Sequence, residues 1–284
     1  MITYLKPNKV ERIVLLIHGM QDHKDRYLEF ANKLKNENCL VILPDLRGHG
    51  NNKPRGFLGG YKEQTHELIE LVNKNKCIDI PFVIVGHSMG SLFARSIIKQ
   101  EPNLVDLIIL SGTPSYNPAA KFLAIVLDWY NRLFKRELQE NKFLNWAIIK
   151  QYNMKIKNPH TSHDWLSFNE DNVNSFLESP DCGFMFTNSA FVDLFRLLVD
   201  VNKTETYKSL TPVLLLSGMH DPCDSDKLEG VSKVLKSNGH KIKMKRYAKS
   251  RHEILFDNEK ERVEMDIINA IKDIKILNNS NWGS

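Results

Sequence analysis

The sequence lacks the features that mark membrane, secreted or repetitive proteins. Its 284 residues contain no apolar run close to the roughly 20 residues that a membrane-spanning helix requires. The first residues, MITYLKP, show no basic region followed by an apolar stretch, so we expect no secretory signal. Internal repeats and low-complexity segments are also absent. These absences favour a globular cytoplasmic protein, for which any attachment to a membrane would be peripheral.

Cysteine is scarce and charge is nearly balanced. Cys39, Cys77, Cys182 and Cys223 have neither paired nor metal-type spacing, which favours a reducing compartment and thiols that act as small buried hydrophobic groups. The chain has 39 basic and 34 acidic residues, with no compact basic block containing interleaved aromatic residues. We therefore expect no nucleic-acid partner. The mildly basic balance slightly favours an anionic lipid interface over an acidic one.

Short runs of Val, Ile and Leu alternate with longer helical patterns, which is typical of a parallel sheet with crossover helices. The predicted strands cover residues 12–18, 39–43, 82–85, 106–110, 213–217 and 241–247. The predicted helices cover residues 24–36, 61–76, 88–100, 225–238 and 257–277. The third, fourth and fifth strand runs are apolar without alternation, so they should be buried on both faces near the sheet centre. The predicted class is an α/β fold with a mostly parallel central sheet and helices on both faces.

Residues 112–207 interrupt this alternation with a helical pattern that contains no convincing strand. Many of their side chains are aromatic: Phe122, Trp129, Tyr130, Phe134, Phe143, Trp146, Phe168, Phe176, Phe184, Phe186, Phe191 and Phe195. We interpret this segment as a helical lid inserted into a core domain formed by residues 1–111 and 208–284. Its run 122–130 is more apolar than a solvent-facing helix should be. Packing against other lid helices and contact with an acyl chain or lipid surface are both open explanations. We expect the tail, residues 278–284, to be frayed.

The strongest chemical signal is the pentapeptide GHSMG at residues 86–90. It follows a predicted strand and opens a predicted helix, which is the context that the G-x-S-x-G nucleophile motif requires. A sharp turn of this kind forces strained backbone angles on the serine, and a side chain at either glycine would clash with it. The turn lifts the hydroxyl above the sheet at a helix N-terminus, whose dipole favours developing negative charge. We predict that Ser88 is the nucleophile.

A serine hydroxyl needs a base, and this kind of fold presents its groups in the order Ser, Asp or Glu, His. His252 lies between the last predicted strand and helix and is the predicted base, with His240 as a rival at a strand entrance. A carboxylate must hold the second ring nitrogen. Asp221 follows the fifth predicted strand and is the predicted acid, with Asp224 and Asp226 as rivals and helix capping as an alternative role.

Two backbone N–H groups should bind the oxyanion that forms during attack. We predict that Met89, which follows the nucleophile, and Met20, which follows an early strand, provide them. His18 should structure the loop rather than carry a proton. Residues 47–50, RGHG, predict a structural turn beside this loop, with substrate contact as a less favoured role.

Several segments, taken in order, carry a family resemblance. They are HG at 18–19, DLRGHG at 45–50, GHSMG at 86–90, DWLS at 164–167, SPDCGF at 179–184, SGMHDP at 217–222 and RHE at 251–253. Together they resemble the monoacylglycerol lipase and lysophospholipase branch of the α/β-hydrolases over nearly the whole chain. The chain departs from the family pattern at Ser91, where glycine is common, and after Gly19, where a further nearby glycine is missing.

The resemblance implies hydrolysis of carboxylic esters through an acyl-enzyme, without metal or organic cofactor. Ser88, Asp221 and His252 would form the catalytic triad, and Met20 and Met89 the oxyanion hole. The expected substrate is a medium- or long-chain acyl ester of the monoacylglycerol or lysophospholipid type. The lid would make transient contact with a membrane or micelle surface.

Two other functions and one metal site are alternatives to an ester hydrolase. A serine aminopeptidase on the same fold would need acidic lid residues to bind an ammonium group, and Glu170, Asp171, Glu178 and Asp181 are available. A non-catalytic protein should have lost a triad member, and none is missing. His160 and His163 have a helical spacing but no obvious further ligand, so no metal site is predicted.

Overall fold

A computed structural model describes residues 1–223 and 228–274. Within these residues the chain forms a seven-stranded sheet in the order β1-β3-β2-β4-β5-β6-β7. The strands are β1 Ile2–Leu5, β2 Arg12–Ile17, β3 Cys39–Pro44, β4 Phe82–His87, β5 Leu107–Ser111, β6 Val213–Gly218 and β7 Ile242–Tyr247. All neighbours are parallel except β1, which pairs antiparallel with β3 at one edge. The α/β prediction is confirmed.

Helices cover both faces of the sheet. They are α1 Leu28–Asn36, α2 Tyr61–Asn75, α3 Met89–Gln100, α4 Pro118–Phe134, α5 Lys142–Asn153, α6 Glu170–Glu178, α7 Asn188–Val201, α8 Leu228–Ser237 and α9 Lys260–Asp273. Alternate residues of β2 point into two separate cores, Leu15 into one and Val14 into the other. The first core includes Phe93 of α3, and the second includes Ile267 of α9. Burial on both faces explains why the central strands are apolar throughout.

The six predicted strands are present with small differences in their bounds, and the three non-alternating runs are β4, β5 and β6, each paired on both sides. The short edge strand β1 was not predicted. Its four residues alternate between exposed and half-buried, which gives too little apolar signal.

Some predicted helix bounds were wrong. The predicted helix 24–36 begins as a 3-10 turn at Lys24–Tyr27 before α1. The helix predicted over 257–277 begins only at Lys260, because the Asp257 carboxylate accepts hydrogen bonds from the backbone N–H groups of Arg251, Phe168 and Asn258 and so holds the preceding turn. The first residues of predicted helix 225–238 lie outside the described residues, as do Asp224, Asp226 and the tail 278–284.

Between β5 and β6 the chain forms the four helices α4 to α7. Each begins at a side-chain cap: Asn117, Asn141, Asn169 and Thr187 each accept a hydrogen bond from a backbone N–H of the first turn. These polar caps explain why a segment rich in aromatic residues has well-defined helix starts. In the part of the chain that the structure describes, no helix is long and apolar enough to cross a bilayer.

The prediction that all four cysteines are small buried groups was only partly right. Cys39 and Cys182 are buried, but Cys77 is exposed. Cys223 is half-buried and lies beside the candidate active site.

Candidate active site

Ser88 occupies a strained turn between β4 and α3. Its backbone angles are φ 50° and ψ −117°, which L-residues rarely adopt. A side chain on Gly86 would place its Cβ 2.6 Å from the carbonyl oxygen of Gly90, and one on Gly90 would overlap the carbonyl oxygens at the end of β2. The turn is pinned by a 2.8 Å hydrogen bond from the Ser88 N–H to the Ser111 carbonyl. The two glycines therefore serve the steric purpose expected of them.

His252 lies in the loop after β7, over the carboxyl ends of β5 and β6. A side chain on Gly218, the last residue of β6, would overlap the carbonyl oxygens of Ser250 and Arg251. Gly112, just after β5, has φ 54°, and a Cβ there would lie 2.9 Å from the His252 ring. Glycine at these two positions allows the imidazole to approach the sheet closely. Gly218 belongs to the segment SGMHDP noted in the sequence, but this steric role was predicted for neither glycine.

The structure brings Ser88, His252 and Asp221 together in one hydrogen-bonded chain. His252 Nε2 lies 2.9 Å from Ser88 Oγ, and His252 Nδ1 lies 2.9 Å from Asp221 Oδ2. The other Asp221 oxygen accepts a 2.8 Å hydrogen bond from the Cys223 backbone N–H. Asp221 lies three residues after the end of β6 and is fully buried. This arrangement fixes the ring tautomer, so that Nε2 is free to accept the hydroxyl proton.

The pKa values of the pair follow from burial and mutual charge. Burial alone would lower the pKa of His252, but the charges and hydrogen bonds of Asp221 and Cys223 together raise that pKa well above its usual value. Burial would raise the pKa of Asp221, but the charge and hydrogen bond of His252 and the hydrogen bond from the Cys223 N–H together hold it below its usual value. Asp221 is therefore ionised, and its negative charge lies beside the His252 ring.

Two rings lie close to the His252 imidazole. His87 lies 4.9 Å away between ring centroids, and Trp165, from the loop between α5 and α6, lies 5.1 Å away. Burial, and then the charge of His252, lower the pKa of His87 to about 4, so His87 is neutral at neutral pH. The backbone N–H of Glu253 also donates to the Leu166 carbonyl at 2.8 Å. The inserted segment therefore helps to position the histidine, which sequence reasoning did not predict.

Met20 and Met89 line the same cavity as Ser88. Met89 is the first residue of α3, where the N–H has no intrahelical acceptor. Met20 lies in the loop after β2. Within residues 1–223 and 228–274, neither N–H donates a hydrogen bond to another residue. Both amides are thus available to a ligand atom above Ser88.

Two buried neutral histidines structure the loop that contains Met20. His18 Nε2 accepts from the Leu46 N–H at 3.1 Å, and its Nδ1 donates to the Gly19 carbonyl. His49 Nε2 accepts from the Gln21 N–H at 3.3 Å, and its Nδ1 donates to the Arg47 carbonyl. Each ring needs one unprotonated nitrogen for this, and burial lowers both pKa values, that of His49 to about 3. The geometry supports the loop-structuring roles expected for His18 and for the turn 47–50.

The triad opens into a cavity of about 260 Å³ beneath the inserted helices. Its lining includes apolar side chains from α3, α4, α5 and α7: Leu92, Leu123, Leu144, Ile148, Leu194, Phe195 and Leu198. A larger groove of about 680 Å³ lies over β1 and α2 and contacts no triad residue. The smaller cavity is therefore the candidate site, because Ser88 and His252 line it.

The other part of the lining is polar and was not predicted. Asp22 and Glu253 line the cavity, and both carboxylates pair with the buried guanidinium of Arg26. Arg26 binds Glu253 through two 2.8 Å hydrogen bonds, and Asn172 of α6 donates to the same carboxylate at 2.8 Å. Burial would raise the pKa of Asp22, but the charge of Arg26 and the hydrogen bonds from Tyr27 and the His23 N–H together lower it to about 2. The cavity lining therefore includes two carboxylates, whose shared partner Arg26 is not part of the lining.

The rival residues lie elsewhere. His240 bonds the Thr211 carbonyl and the Tyr207 hydroxyl, so it is a structural residue at the start of β7. The acidic residues considered for ammonium binding, Glu170, Asp171, Glu178 and Asp181, do not line the cavity. His163 does line it, but in the described residues neither it nor His160 belongs to a group of metal-ligand type.

Asp221, Cys223 and His252 place three ligand-type atoms within 4.8 Å of one another. Carboxylate, thiol and imidazole are donors that zinc accepts. Both His252 nitrogens, however, already bond to Asp221 and Ser88. The hydrogen-bonded triad accounts for this cluster without a metal ion.

A parallel sheet with a strained serine at the end of β4, followed by an acid after β6 and a histidine after β7, defines an α/β-hydrolase of the serine type. The profile of the family described as serine aminopeptidase, S33, matches residues 8–259. The chain belongs to this family. The membership covers both parts of the sheet and the helices inserted between them.

Relatives and solved structures agree with this placement. Phospholipase YtpA of Bacillus subtilis is 29% identical over 109 residues, which cover 38% of this chain and 42% of that protein. Mouse (Mus musculus) monoglyceride lipase is 27% identical over 138 residues, 44% of this chain and 46% of that protein. These matches therefore span less than half the length of either relative. A highly thermostable carboxyl esterase from Bacillus coagulans, solved in complex with glycerol, is 25% identical with a TM-score of 0.85, covering 96% of this chain and 93% of that one.

Proposed function

We propose that the protein is a serine carboxylic ester hydrolase that cleaves medium- or long-chain acyl esters of the monoacylglycerol or lysophospholipid type. One observation carries the proposal: the Ser88–His252–Asp221 chain opens into a cavity with an apolar wall and a polar end. The similar proteins include two whose names state a lipid substrate, the phospholipase and the monoglyceride lipase.

In the proposed mechanism His252 removes the Ser88 proton as the oxygen attacks the ester carbonyl. The amides of Met20 and Met89 bind the oxyanion, and His252 then protonates the departing alcohol. A water molecule activated by the same histidine clears the acyl-enzyme. The ionised Asp221 stabilises the imidazolium in both halves of the reaction.

The two ends of the cavity suit the two halves of such an ester. The leucine-rich wall would accept an acyl chain, and the carboxylates of Asp22 and Glu253 would face the hydroxyls of an alcohol head group. A volume of about 260 Å³ is slightly below the roughly 300–1,000 Å³ of small-molecule sites. The cavity therefore suits one acyl chain better than a triacylglycerol.

We also propose that residues 112–207 act as a lid that contacts a membrane or micelle surface. Helices α4 and α5 each turn one face toward the cavity, through Leu123 and Leu144. The opposite faces expose large apolar side chains, namely Phe122, Ile125, Trp129, Leu133, Phe143 and Trp146. Many exposed large apolar side chains on neighbouring helices are typical of an interaction surface. For residues 122–130 we therefore propose the lipid-surface role for the exposed face and packing over the cavity for the other face.

Vesicle binding tests the lid proposal. The double variant Phe122→Ser/Trp129→Ser should sediment less with anionic phospholipid vesicles than the parent protein, while its hydrolysis of a soluble short-chain ester stays the same. Ile78→Ser is the matched control, because Ile78 is 90% exposed and lies outside the inserted segment. Equal sedimentation of all three proteins would contradict the proposal.

A serine aminopeptidase is the second candidate, because the family description bears that name. The structure offers it little support. The carboxylates that line the cavity, Asp22 and Glu253, share one guanidinium, and the acidic residues of α6 lie elsewhere. An ammonium group would have to compete with Arg26 for them.

A substrate panel tests the proposed function. It contains p-nitrophenyl esters of increasing chain length, 1-monoacylglycerol, lysophosphatidylcholine and an aminoacyl-anilide, each run with Ser88→Ala in parallel. Cleavage of longer esters that is lost in the variant is the expected result. Anilide cleavage with inert esters would instead establish the peptidase. Failure to cleave any ester or anilide would contradict both.

A further inference from the structure

Gln21 has a backbone conformation that favours glycine. Its φ is 58°, in the left-handed region, where the Cβ of an L-residue crowds the following carbonyl oxygen. The residue follows Met20 directly and is 4% exposed. A non-glycine residue keeps such a conformation only where its surroundings hold it there. The missing glycine noted in the sequence is therefore replaced by a side chain that must have partners.

Those partners belong to the inserted helices. Gln21 Nε2 donates to Asn145 Oδ1 of α5 at 2.6 Å and to the Phe184 carbonyl at 2.5 Å. The Gln21 carbonyl accepts from the Gly183 N–H at 2.9 Å. On the core side, the Gln21 N–H donates to His49 Nε2 at 3.3 Å. One residue thus joins the loop after β2 to α5, to segment 183–184 and to the core.

The acceptor on α5 is itself firmly held. Asn145 is 3% exposed, and its Oδ1 also accepts from the Phe186 N–H at 3.1 Å. Its Nδ2 donates to the carbonyls of Asn141 and Phe186. A buried network in which Gln21 Nε2 and both polar atoms of the Asn145 side chain are paired resists displacement, because a shift of one member leaves another unpaired in a low-dielectric interior. A displacement of α5 would therefore reach Gln21 through this network.

We propose that Gln21 is a positioning residue that fixes the Met20 N–H toward the oxyanion and makes the strength of that contact depend on the placement of α5. The inference rests on the proposed function, in which Met20 is an oxyanion donor. Hydrogen bonds hold Gln21 at its N–H, its carbonyl and its side chain, so the Met20–Gln21 peptide unit has little freedom to tilt. The Met20 N–H belongs to the adjoining Gly19–Met20 unit, whose carbonyl the His18 ring holds at 2.8 Å, so Met20 is fixed on both sides. Oxyanion donors act only when aimed at the position of the developing charge. Loss of the side-chain contacts should therefore weaken the transition state more than the bound substrate.

The test compares Gln21→Met, which keeps the side-chain length and removes the donor, with the parent protein. With soluble p-nitrophenyl butyrate, kcat should fall by about 10- to 100-fold, a part of the 10²–10³-fold effect of losing one oxyanion donor. KM should change by less than about 3-fold, and affinity for an aryl trifluoromethyl ketone should fall in parallel with kcat/KM. The acid limb of the pH profile should not move, since His252 and Asp221 are untouched.

Arg55→Met is the matched control. Arg55 also joins core to inserted segment, by donating to the Pro180 carbonyl and the Asp181 carboxylate, but it does not contact the Met20 loop. This variant should keep the parent kcat. If Gln21→Met does not fold, Gln21→Gly serves instead, because glycine adopts the left-handed backbone without strain. Asn145→Ala should add little to the effect of either Gln21 variant, since both act on one network.

Three results would overturn the proposal. They are an unchanged kcat, a rise in KM with kcat preserved, or an equal loss of kcat in Arg55→Met. Each of these would show that Gln21 only connects the loop after β2 to the inserted helices. Failure of the proposed function itself looks different. In that case the parent protein would not hydrolyse the ester at all, and no comparison with Gln21→Met would arise.

Discussion

At the scale of single residues, the geometry around His252 determines how the proposed chemistry should depend on pH. The ring bonds Asp221 and Ser88 at 2.9 Å each, and Asp221 raises its pKa. The base must be neutral to accept a proton, so activity requires a pH above the pKa of His252. The raised pKa of His252 therefore determines in which direction kcat/KM should change with pH.

We expect kcat/KM to fall as the pH decreases, with a midpoint above the roughly 6.5 of an ordinary histidine. The reason is that the negative charge of Asp221 favours the protonated ring. Initial rates with a soluble ester between pH 5 and 9 measure the midpoint. A midpoint well below 6.5 would mean that burial, rather than Asp221, dominates the ring.

Asp221→Asn should lower kcat by roughly 10⁴-fold with little change in KM. An amide carries no negative charge, and its NH₂ group can donate to Nδ1. The ring therefore loses both the tautomer with a proton on Nδ1 and the charge that stabilises the imidazolium. Steady-state rates and a thermal melt of the variant measure the effect. A loss of less than 10-fold in a folded variant would show that another carboxylate performs this role.

At the scale of elements, the site depends on how closely β2, β4 and α3 approach one another. Gly90 lies in the first turn of α3, and a Cβ there would overlap the carbonyl oxygens of Ile17 and His18. Those carbonyls are backbone atoms at the end of β2 and cannot move away independently. The start of α3 and the end of β2 are therefore coupled through one missing side chain.

Gly90→Ala should destabilise the fold by several kcal/mol or prevent folding, because overpacking of this kind typically costs about 1–3 kcal/mol even where side chains can yield. Gly230→Ala is the matched control. Gly230 lies in α8 with nothing within 4 Å of its virtual Cβ, so alanine there should stabilise by about 1 kcal/mol. Urea unfolding of both variants measures this. Equal stabilities would contradict the packing described here.

At the scale of the whole molecule, buried neutral histidines link stability to pH. Burial lowers the pKa of His18, of His49 to about 3 and of His87 to about 4, while an unfolded histidine titrates near 6.5. Below pH 6.5 the unfolded chain therefore binds more protons than the folded chain, and the free energy of unfolding decreases as the pH decreases. His252 shifts in the opposite direction, so its contribution is already complete below pH 6.5.

The free energy of unfolding should decrease between about pH 6.5 and pH 4, and His49 and His87 should each account for about 2 kcal/mol at pH 5. Urea unfolding at pH 7.5 and pH 5 measures the difference. His49→Gln should reduce the slope by up to one proton. His66→Gln, on the exposed side of α2, should leave it unchanged. A stability independent of pH over this range would contradict neutral buried rings.

The sequence was most informative where function depends on local patterns. The elbow around Ser88, Asp221 after β6 and His252 after β7 could be placed because a strand end and a short motif define each of them. The contacts made by Arg26 and Gln21 could not be predicted. Arg26 and Glu253 are 227 residues apart in the sequence, and Gln21 and Asn145 are 124 apart. Contacts between such distant residues leave no periodic pattern in the sequence. The edge strand β1 was missed for a different reason, since four half-exposed residues bury too little apolar surface to show a pattern.

In the proposed mechanism Ser88 becomes acylated during ester cleavage. Acid quench of the protein during turnover of a p-nitrophenyl ester, followed by peptide mass mapping, tests this step. We expect the mass of the acyl group to appear on the peptide containing Ser88 and to be absent from Ser88→Ala. Continued hydrolysis by Ser88→Ala, with no acylated peptide in either protein, would contradict it.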